Sequence, residues 1–212
     1  MYVQEIWRYP VKSMAGEQLQ TARLTASGID GDRIIQVQDA RGHTLTSRTY
    51  PGLLGLHGTL ATDGTPLIDG QPWTSPAALA AVQKIVGPGA RLIRDDSVDR
   101  FDILPLLVAT DGAIEAFGRD RRRLRPNIVV GGVNGLAERE WQGGQLSVED
   151  VVIGVADLRG RCIMTTFDPD TLAHDPTVLR DIVKRFGGKL ALNCEVLEGG
   201  QIQLNQEVEF RK

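Results

Sequence analysis

The sequence predicts a mainly β protein with a few helices, arranged in a barrel-like architecture. Turn-forming residues are frequent and scattered, with 24 glycines and 10 prolines among 212 residues. Apolar residues recur between these turns in short runs of strand length. Only three segments carry the start and stop signals of helices. A chain of this length can bury one sizeable core or two small adjoining ones.

The first 70 residues are predicted to form strands and turns. The segments VQEIWRYPV and TARLTASG have the apolar content of strands, and RIIQVQDARGHTLTS has the pattern of a hairpin with its turn at residues 39–42. The segment TDGTPLIDGQPW contains two Asp-Gly pairs, at residues 63–64 and 69–70, which are strong turn signals. A succession of short paired strands is therefore expected here.

The three predicted helices each have a capping residue. SPAALAAVQKIVG begins with Ser75 as the N-cap and Pro76 at the first helical position. DGAIEAFG is a short helix for which we predict Asp111 as the cap. DPTVLRDIVKRFGG is capped by Asp175 and stops at Gly187.

Further strands are predicted between and after the helices. RLIRDD and NIVVGG are apolar or alternating runs, and QLSVEDVVIGVADLRG contains two strands with a turn at residues 149–150. NCEVLEGGQIQLNQEVEF is predicted to close the chain as a hairpin through residues 199–200. A soft domain boundary is expected near residues 90–100.

Composition and charge restrict the possible functions. A formal net charge of −3 gives no overall electrostatic case for nucleic acid or for an anionic membrane. The N-terminal segment has no apolar run of signal-peptide length, so a cytoplasmic protein is expected. Cys162 and Cys194 are expected to remain unpaired in a reducing compartment. His43, His57 and His174 lie too far apart along the chain for the usual zinc spacing.

Three basic positions are candidates for binding an anion. Lys12 and Ser13, in RYPVKSMAGE, lie where a strand ends and a glycine-containing turn begins, although the glycines of a P-loop are missing. Arg33 follows two glycines in GIDGDR. Arg125, in GRDRRRLRPN, precedes Pro126 and an apolar strand, which favours a guanidinium directed into the structure. Solvated surface side chains are the alternative for each position.

Cys162 is the candidate nucleophile or metal ligand. It lies in LRGRCIMTTFDPDT, between an apolar strand and a polar turn, and positive charge from Arg159 and Arg161 favours a thiolate. Without a recognisable histidine partner, a cysteine protease is excluded. The alternative is an inert buried cysteine.

The order of these motifs resembles one family along the whole chain. YPVKS, GDR, LRPNIVV, RCIMTTFDPDT and the terminal CEVLEGGQIQLNQEVEF occur in the order found in MOSC-domain proteins. The pattern is most similar to the branch that contains the mitochondrial amidoxime-reducing component and its bacterial relatives. The resemblance implies an N-terminal MOSC β-barrel region, residues 1–95, packed on a MOSC β-barrel domain, residues 96–212.

The resemblance also implies a molybdenum cofactor of the molybdopterin type. Its metal would take two sulfurs from the pterin and one from Cys162. Lys12 and Ser13 would contact the phosphate, and Arg33 and Arg125 match the cofactor-binding arginines of the family. Further cofactor contacts are expected from Thr110, Asp111, Asn127, Thr165 and Thr166. Asp168 is expected beside Cys162 as a catalytic residue that orients the substrate.

The activity that the resemblance implies is the reduction of N-hydroxylated compounds, such as amidoximes and hydroxylamines, by oxygen-atom transfer at molybdenum. Because no iron–sulfur extension follows residue 212, we expect an external reductase or ferredoxin-type protein to supply electrons. The alternative is a carrier of the cofactor, or of sulfur as a Cys162 persulfide, since some MOSC domains are fused to pyridoxal-phosphate-dependent sulfurases. A degenerate β protein without cofactor is the third possibility.

Two departures from the family pattern leave the substrate open. The loop after RCIMTTFDPDT continues as LAHDPTVLRD without the glycine that is usual there, and LALNCEVLE lacks a preceding Phe-Gly pair. Both changes fall where the resemblance places the approach of the substrate.

Overall fold

A computed structural model describes all residues, Met1–Lys212. It contains seventeen strands, three α-helices and five short 3-10 helices. The strands are β1 (Tyr2–Arg8), β2 (Glu17–Leu19), β3 (Thr21–Thr25), β4 (Gly28–Ile29), β5 (Ile35–Gln38), β6 (Thr44–Leu45), β7 (Gly58–Leu60), β8 (Pro66–Ile68), β9 (Gln71–Pro72), β10 (Arg91–Arg94), β11 (Leu106–Thr110), β12 (Ile128–Gly131), β13 (Gln145–Val148), β14 (Val151–Gly160), β15 (Lys189–Glu198), β16 (Gly200–Gln203) and β17 (Glu209–Arg211). The helices are α1 (Pro76–Val86), α2 (Asp111–Phe117) and α3 (Thr177–Phe186), with 3-10 turns at Pro51–Gly55, Val98–Arg100, Arg121–Arg123, Ala137–Glu140 and Ile163–Thr166.

An eight-stranded sheet organises the fold, with the order β17-β13-β14-β15-β11-β12-β1-β2. Its neighbours are antiparallel except for β11 and β12, which run parallel. No ladder joins the edge strands β17 and β2, but backbone hydrogen bonds link Met1 and Val3 to residues 205–208. The mainly β class with a few helices is confirmed, but the large sheet is not closed into a barrel.

Three smaller sheets surround the large one, with the orders β10-β5-β6, β16-β3-β4 and β7-β8-β9. The main core contains 21 buried residues between the large sheet and β3 with β16. A second core of 11 residues joins α1 to β5 and β8, and a third of seven joins α2 to α3. Burying each large apolar side chain stabilises the fold by roughly 1.5–3 kcal/mol. These cores therefore anchor the loops between the strands.

Local signals predicted the first and third helices well. The Ser75 hydroxyl accepts a hydrogen bond of 3.1 Å from the Ala78 amide and caps α1. The Asp175 carboxylate accepts one of 2.9 Å from the Thr177 amide, and α3 ends at Gly187 with a left-handed φ of 64°. None of the three helices combines the length and the apolar character that a membrane crossing needs.

The predicted cap of the second helix was wrong. The Thr110 hydroxyl, one residue earlier, accepts the hydrogen bond of 3.1 Å from the Ala113 amide. The Asp111 carboxylate instead accepts hydrogen bonds of 2.7 and 2.9 Å from the amides of Gly132 and Val133. The amides of the turn after β12 need an acceptor, and the Asp111 carboxylate supplies it because it does not cap α2.

The predicted C-terminal hairpin was also wrong. Strand β16 pairs with β3, not with β15. A Cβ atom on Gly199 would lie 2.7 Å from the Leu24 carbonyl oxygen, so a glycine allows the chain to cross to β3 there. Strands β1 and β2 belong to the same sheet as the C-terminal strands. The large sheet thus contains strands from both sides of residue 95, and the domain boundary there stays a prediction from the sequence.

Candidate functional site

An open cleft brings together residues from distant parts of the chain. Six of the residues predicted from the sequence line it: Lys12, Ser13, Arg33, Arg125, Asn127 and Cys162. They come from loops that follow β1, β4, the third 3-10 helix and β14. A fold that is mainly β thus positions the side chains through the loops between its strands.

The lining of the cleft is strongly cationic. Its basic residues are Lys12, Arg33, Arg48, Arg123, Arg125, Arg159 and Arg161. Asp102 is the one carboxylate among the lining residues. A concave site with this excess of positive charge concentrates anions, even though the whole chain has a formal net charge of −3. The geometry supports the predicted anion site.

The backbone is strained at three of the predicted positions. Ser13, Arg33 and Arg125 have left-handed φ angles of 72°, 55° and 56°. This conformation costs a residue with a side chain roughly 1–3 kcal/mol and is retained where the surroundings impose it. Arg33 and Arg125 both line the cleft with their guanidinium groups. Placing these two side chains there therefore costs the folded state some stability.

The Tyr9 ring contacts two arginines of the cleft, Arg33 and Arg125. The ring lies 5.2 Å from the Arg33 guanidinium carbon and 4.3 Å from that of Arg125. Its hydroxyl donates a 3.1 Å hydrogen bond to the Pro126 carbonyl. Burial raises the pKa of Tyr9 to about 12, so the phenol stays protonated at neutral pH. Cation–π contacts of this kind restrict where each guanidinium can point.

Asp32 is a buried carboxylate that orients the same region. It accepts hydrogen bonds of 2.6 Å from the Tyr9 amide and 3.1 Å from the Asn127 side-chain amide, and it forms an ion pair with Arg33. The Asn127 Oδ1 atom accepts a 3.1 Å hydrogen bond from the Leu107 amide. Asn127 therefore connects strand β11 to Asp32, which is the ion-pair partner of Arg33.

Two guanidinium groups in the cleft lack the partners that buried charges usually have. Arg125 forms no ion pair, and the Tyr9 ring is its close contact. Arg161 donates a 2.7 Å hydrogen bond from Nη2 to the Leu124 carbonyl, but its Nε and Nη1 atoms are buried without a partner. Burial lowers the pKa of each arginine to about 10. The two unpartnered nitrogens of Arg161 would be satisfied by an acceptor from outside the protein.

Asp102 gathers the cations at the other side of the cleft. Lys12 Nζ lies 3.0 Å from its carboxylate, Arg48 Nη2 2.5 Å and Arg159 Nη2 3.7 Å. Lys12 also donates a 2.7 Å hydrogen bond to the Arg100 carbonyl. Burial acts to raise the pKa of Asp102, but the three cations hold that pKa below its ordinary value. Asp102 is therefore an anion that already occupies these cations.

Cys162 lies directly after β14, at the start of the 3-10 helix Ile163–Thr166, and its side chain is half-buried at the cleft. Its carbonyl accepts hydrogen bonds of 3.1 Å from the Thr165 amide and 2.9 Å from the Thr165 hydroxyl. The Thr166 hydroxyl donates 2.6 Å to the Ile163 carbonyl. The two threonines thus fix the backbone of Cys162, and the structure does not place them among the cleft-lining residues.

Three further predicted residues also lie outside the cleft lining: Thr110, Asp111 and Asp168. The Thr110 hydroxyl caps α2, and the Asp111 carboxylate accepts hydrogen bonds from the amides of Gly132 and Val133. The Asp168 carboxylate forms an ion pair of 2.9 Å with Arg123 and accepts hydrogen bonds from the amides of Asp170 and Thr171. Their functional roles stay predictions from the family resemblance.

Sequence reasoning missed several residues of the site. Tyr9 and Arg123 belong to two segments that also contain predicted site residues, YPVKS and the arginine-rich run. The strand predicted for YPVKS could have indicated that Tyr9 is buried. Arg48, Asp102 and Asn193 line the cleft without any local pattern that distinguishes them. Their place depends on the packing of separate loops.

Comparison with known families decides the classification. Residues 1–83 match the model described as the MOSC N-terminal beta barrel domain, and residues 112–209 match the MOSC domain. The chain belongs to the MOSC-domain family. The resemblance inferred from the motifs is thereby confirmed.

Two relatives are similar to this chain in sequence, and one solved structure has a similar fold. The chain is 27% identical to mitochondrial amidoxime-reducing component 1 of Mus musculus, over 82% of this chain and 67% of the relative. It is 25% identical to component 1 of Homo sapiens, over 80% of this chain and 67% of the relative. The YUAD protein from Bacillus subtilis has a similar fold, with a TM-score of 0.54 and 13% identity over 99% of this chain and 94% of that one.

Proposed function

We propose that this MOSC protein is a cytoplasmic reductase of N-hydroxylated compounds that holds a molybdenum cofactor in the cationic cleft, with Cys162 as the protein ligand to the metal. The observation that carries the proposal is the half-buried Cys162 thiol in a cleft whose cations exceed its carboxylates. The amidoxime-reducing components named above are relatives over most of the chain. Their similarity supports this choice of reaction.

The donor set of the cleft fits a pterin cofactor that carries a phosphate. A phosphate dianion needs several charge-assisted donors, which Lys12, Ser13 and Arg33 would supply. The unpartnered Nε and Nη1 atoms of Arg161 and the unpaired Arg125 would donate to further acceptors of the same group. An anionic ligand would thus satisfy atoms that the protein alone leaves without partners.

Cys162 offers the soft ligand that a sulfur-bound redox metal favours. When bound, the cofactor would supply a two-electron redox centre that accepts oxygen. In the net reaction an amidoxime, two electrons and two protons give the amidine and water, and the N–O bond breaks. The electrons would come from an external reductase or ferredoxin-type protein, since this chain's own residues provide none. Its residues would bind the cofactor, place the thiolate and hold the arginines in position.

The role of Asp168 would be to keep the segment after Cys162 in place. Its carboxylate holds Arg123 and two loop amides, so it can orient a substrate only through these contacts. The family resemblance alone supports a direct catalytic role for this residue.

The proposal is tested with protein purified from a host that synthesises the cofactor. We expect molybdenum in the wild type, reduction of benzamidoxime with a reduced viologen dye as donor, and loss of reduction in Cys162→Ala with the pterin retained. Cys194→Ala is the matched control, because Cys194 is fully buried in β15 and burial raises the pKa of its thiol. Benzamidoxime reduction by Cys162→Ala, or molybdenum-free protein that carries a Cys162 persulfide, would contradict the proposal; the persulfide would support the carrier.

A further inference from the structure

A second cavity of about 240 Å³ opens beside the cleft. We call it the aromatic slot and define it by the residues Trp7, Tyr9, Leu54, His57, Phe167 and Pro169. It shares Arg123, Arg125 and Met164 with the cationic cleft. Met164 lies two residues after Cys162, so the slot adjoins the part of the cleft that contains the thiol.

The aromatic walls of the slot are held in fixed orientations. Phe167 stacks on His174 with ring centroids 4.8 Å apart and an angle of 22° between the planes. The Trp7 indole donates a 2.7 Å hydrogen bond to Glu5, and the Tyr9 hydroxyl binds the Pro126 carbonyl. The polar ends of both side chains are therefore occupied by the protein. What remains for a ligand is ring surface of the half-buried Trp7 and Phe167, since Tyr9 is buried and its ring already contacts Arg125. Exposed ring surface favours planar groups.

The charge of the slot differs from that of the cleft. Arg122 contacts Asp120 at 2.6 Å and Asp170 at 2.7 Å, and Arg123 contacts Asp168 at 2.9 Å. The three arginines of the slot thus lie near three carboxylates, those of Asp120, Asp168 and Asp170, whereas the seven cations of the cleft are paired only with Asp32, Asp102 and Asp168. The charges around the slot are therefore close to balanced, whereas those around the cleft are strongly positive, so an anion favours the cleft. Burying an uncharged aromatic group in the slot is favourable because it removes apolar surface from water.

From this contrast we infer that the aromatic slot binds the planar, uncharged part of the substrate, and that Leu54 and Phe167 determine which substrates fit. The inference rests on the proposed function and names its substrate class: neutral N-hydroxylated compounds that carry an aromatic or heteroaromatic ring. The N-hydroxy group of such a compound would pass Met164 toward the Cys162 side, while the cationic cleft keeps the anionic cofactor. The two cavities therefore divide the ligands by charge.

The test compares an aromatic with a small aliphatic substrate in variants of the slot. Leu54→Trp fills the slot from a half-buried position, and Phe167→Ala removes a stacking wall. Leu197→Trp is the matched control, since Leu197 is exposed on β15. With molybdenum-loaded protein we expect the KM for benzamidoxime to rise at least tenfold in Leu54→Trp and several-fold in Phe167→Ala. The KM for acetamidoxime and the molybdenum content should stay within twofold of the wild type.

A binding measurement separates this inference from the proposed function. Ligand-observed NMR titration with benzamidoxime is carried out on cofactor-free and cofactor-loaded protein. Binding to both forms that Leu54→Trp weakens supports the slot, even if the loaded wild type reduces no N-hydroxylated compound and the proposed function fails. Equal binding by wild type and both slot variants would overturn the slot and leave the function standing. Binding only to the cofactor-free form would also overturn it, because the pterin would then fill the slot.

Discussion

Replacing Arg125 with methionine should stabilise the cofactor-free protein while it weakens anion binding. The Arg125 guanidinium forms no ion pair, and burial lowers its pKa to about 10. For a basic group, a folded-state pKa below the unfolded value means that the unfolded chain binds more protons between the two values. Stability therefore rises with pH across that window, and at pH 7 the destabilisation by the charge is fully present.

The size of the effect follows from two opposing contributions. A pKa that falls this far corresponds to roughly 3 kcal/mol against the charged form, at about 1.4 kcal/mol for each tenfold change. The cation–π contact with Tyr9 at 4.3 Å is lost in the variant, which removes about 1–2 kcal/mol. We expect a net gain of about 1–2 kcal/mol, which raises the Tm of a chain of this size by about 2–8 °C.

The assay is thermal unfolding, followed by circular dichroism, of protein made in a host that lacks the pterin pathway. Arg122→Met is the matched control, because Arg122 is paired with Asp120 and Asp170 and its removal should lower the Tm slightly or leave it unchanged. A Tm of Arg125→Met below that of the wild type would refute the reasoning. Arg125 would then stabilise the fold and would not be a residue kept for a ligand.

Three other changes test single contacts. Asp102→Asn removes the carboxylate of the cleft. Calorimetry should then show that inorganic phosphate binds roughly fivefold more tightly, a gain of about 1 kcal/mol in binding free energy. Weaker phosphate binding would mean that Asp102 orients the cations. Tyr9→Leu frees Arg33 and Arg125 and should weaken phosphate binding about fivefold, with Tyr9→Phe unchanged; equal affinities would contradict this. Burial raises the pKa of Glu138, so between the unfolded and the folded pKa the native state binds more protons, and the free energy of unfolding falls as pH rises. Unfolding measured at several pH values should show a smaller fall in Glu138→Gln than in the wild type. The same dependence on pH in both proteins would refute this prediction.

Local signals explain which parts of the fold were predictable. Ser75 and the Asp-Gly turns act within a few residues, and the structure has them as the sequence indicates. The prediction of the last hairpin was wrong because two glycines at residues 199–200 indicate a turn but do not indicate which strand pairs with the strand that follows. That strand pairs with β3, about 180 residues earlier in sequence, and only packing of the whole core decides such a pairing.

The site was predictable to the extent that its residues belong to motifs. Lys12, Arg33, Arg125 and Cys162 were named from their segments, and the fold brings them to one cleft. Arg48 follows the short hairpin of β5 and β6 and has no distinguishing neighbours in sequence. Asp111 illustrates a wrong cap prediction: an acidic residue at a helix start has the pattern of an N-cap, but Thr110 caps α2 and the turn after β12 uses the Asp111 carboxylate.

The central claim is that Cys162 supplies the protein's sulfur ligand to a molybdenum cofactor in the cationic cleft. X-ray absorption at the molybdenum edge counts the sulfur atoms around the metal in loaded wild type, Cys162→Ser and the control Cys194→Ser. The account predicts one sulfur neighbour fewer in Cys162→Ser than in the other two proteins. An equal number of sulfur neighbours in all three would contradict it.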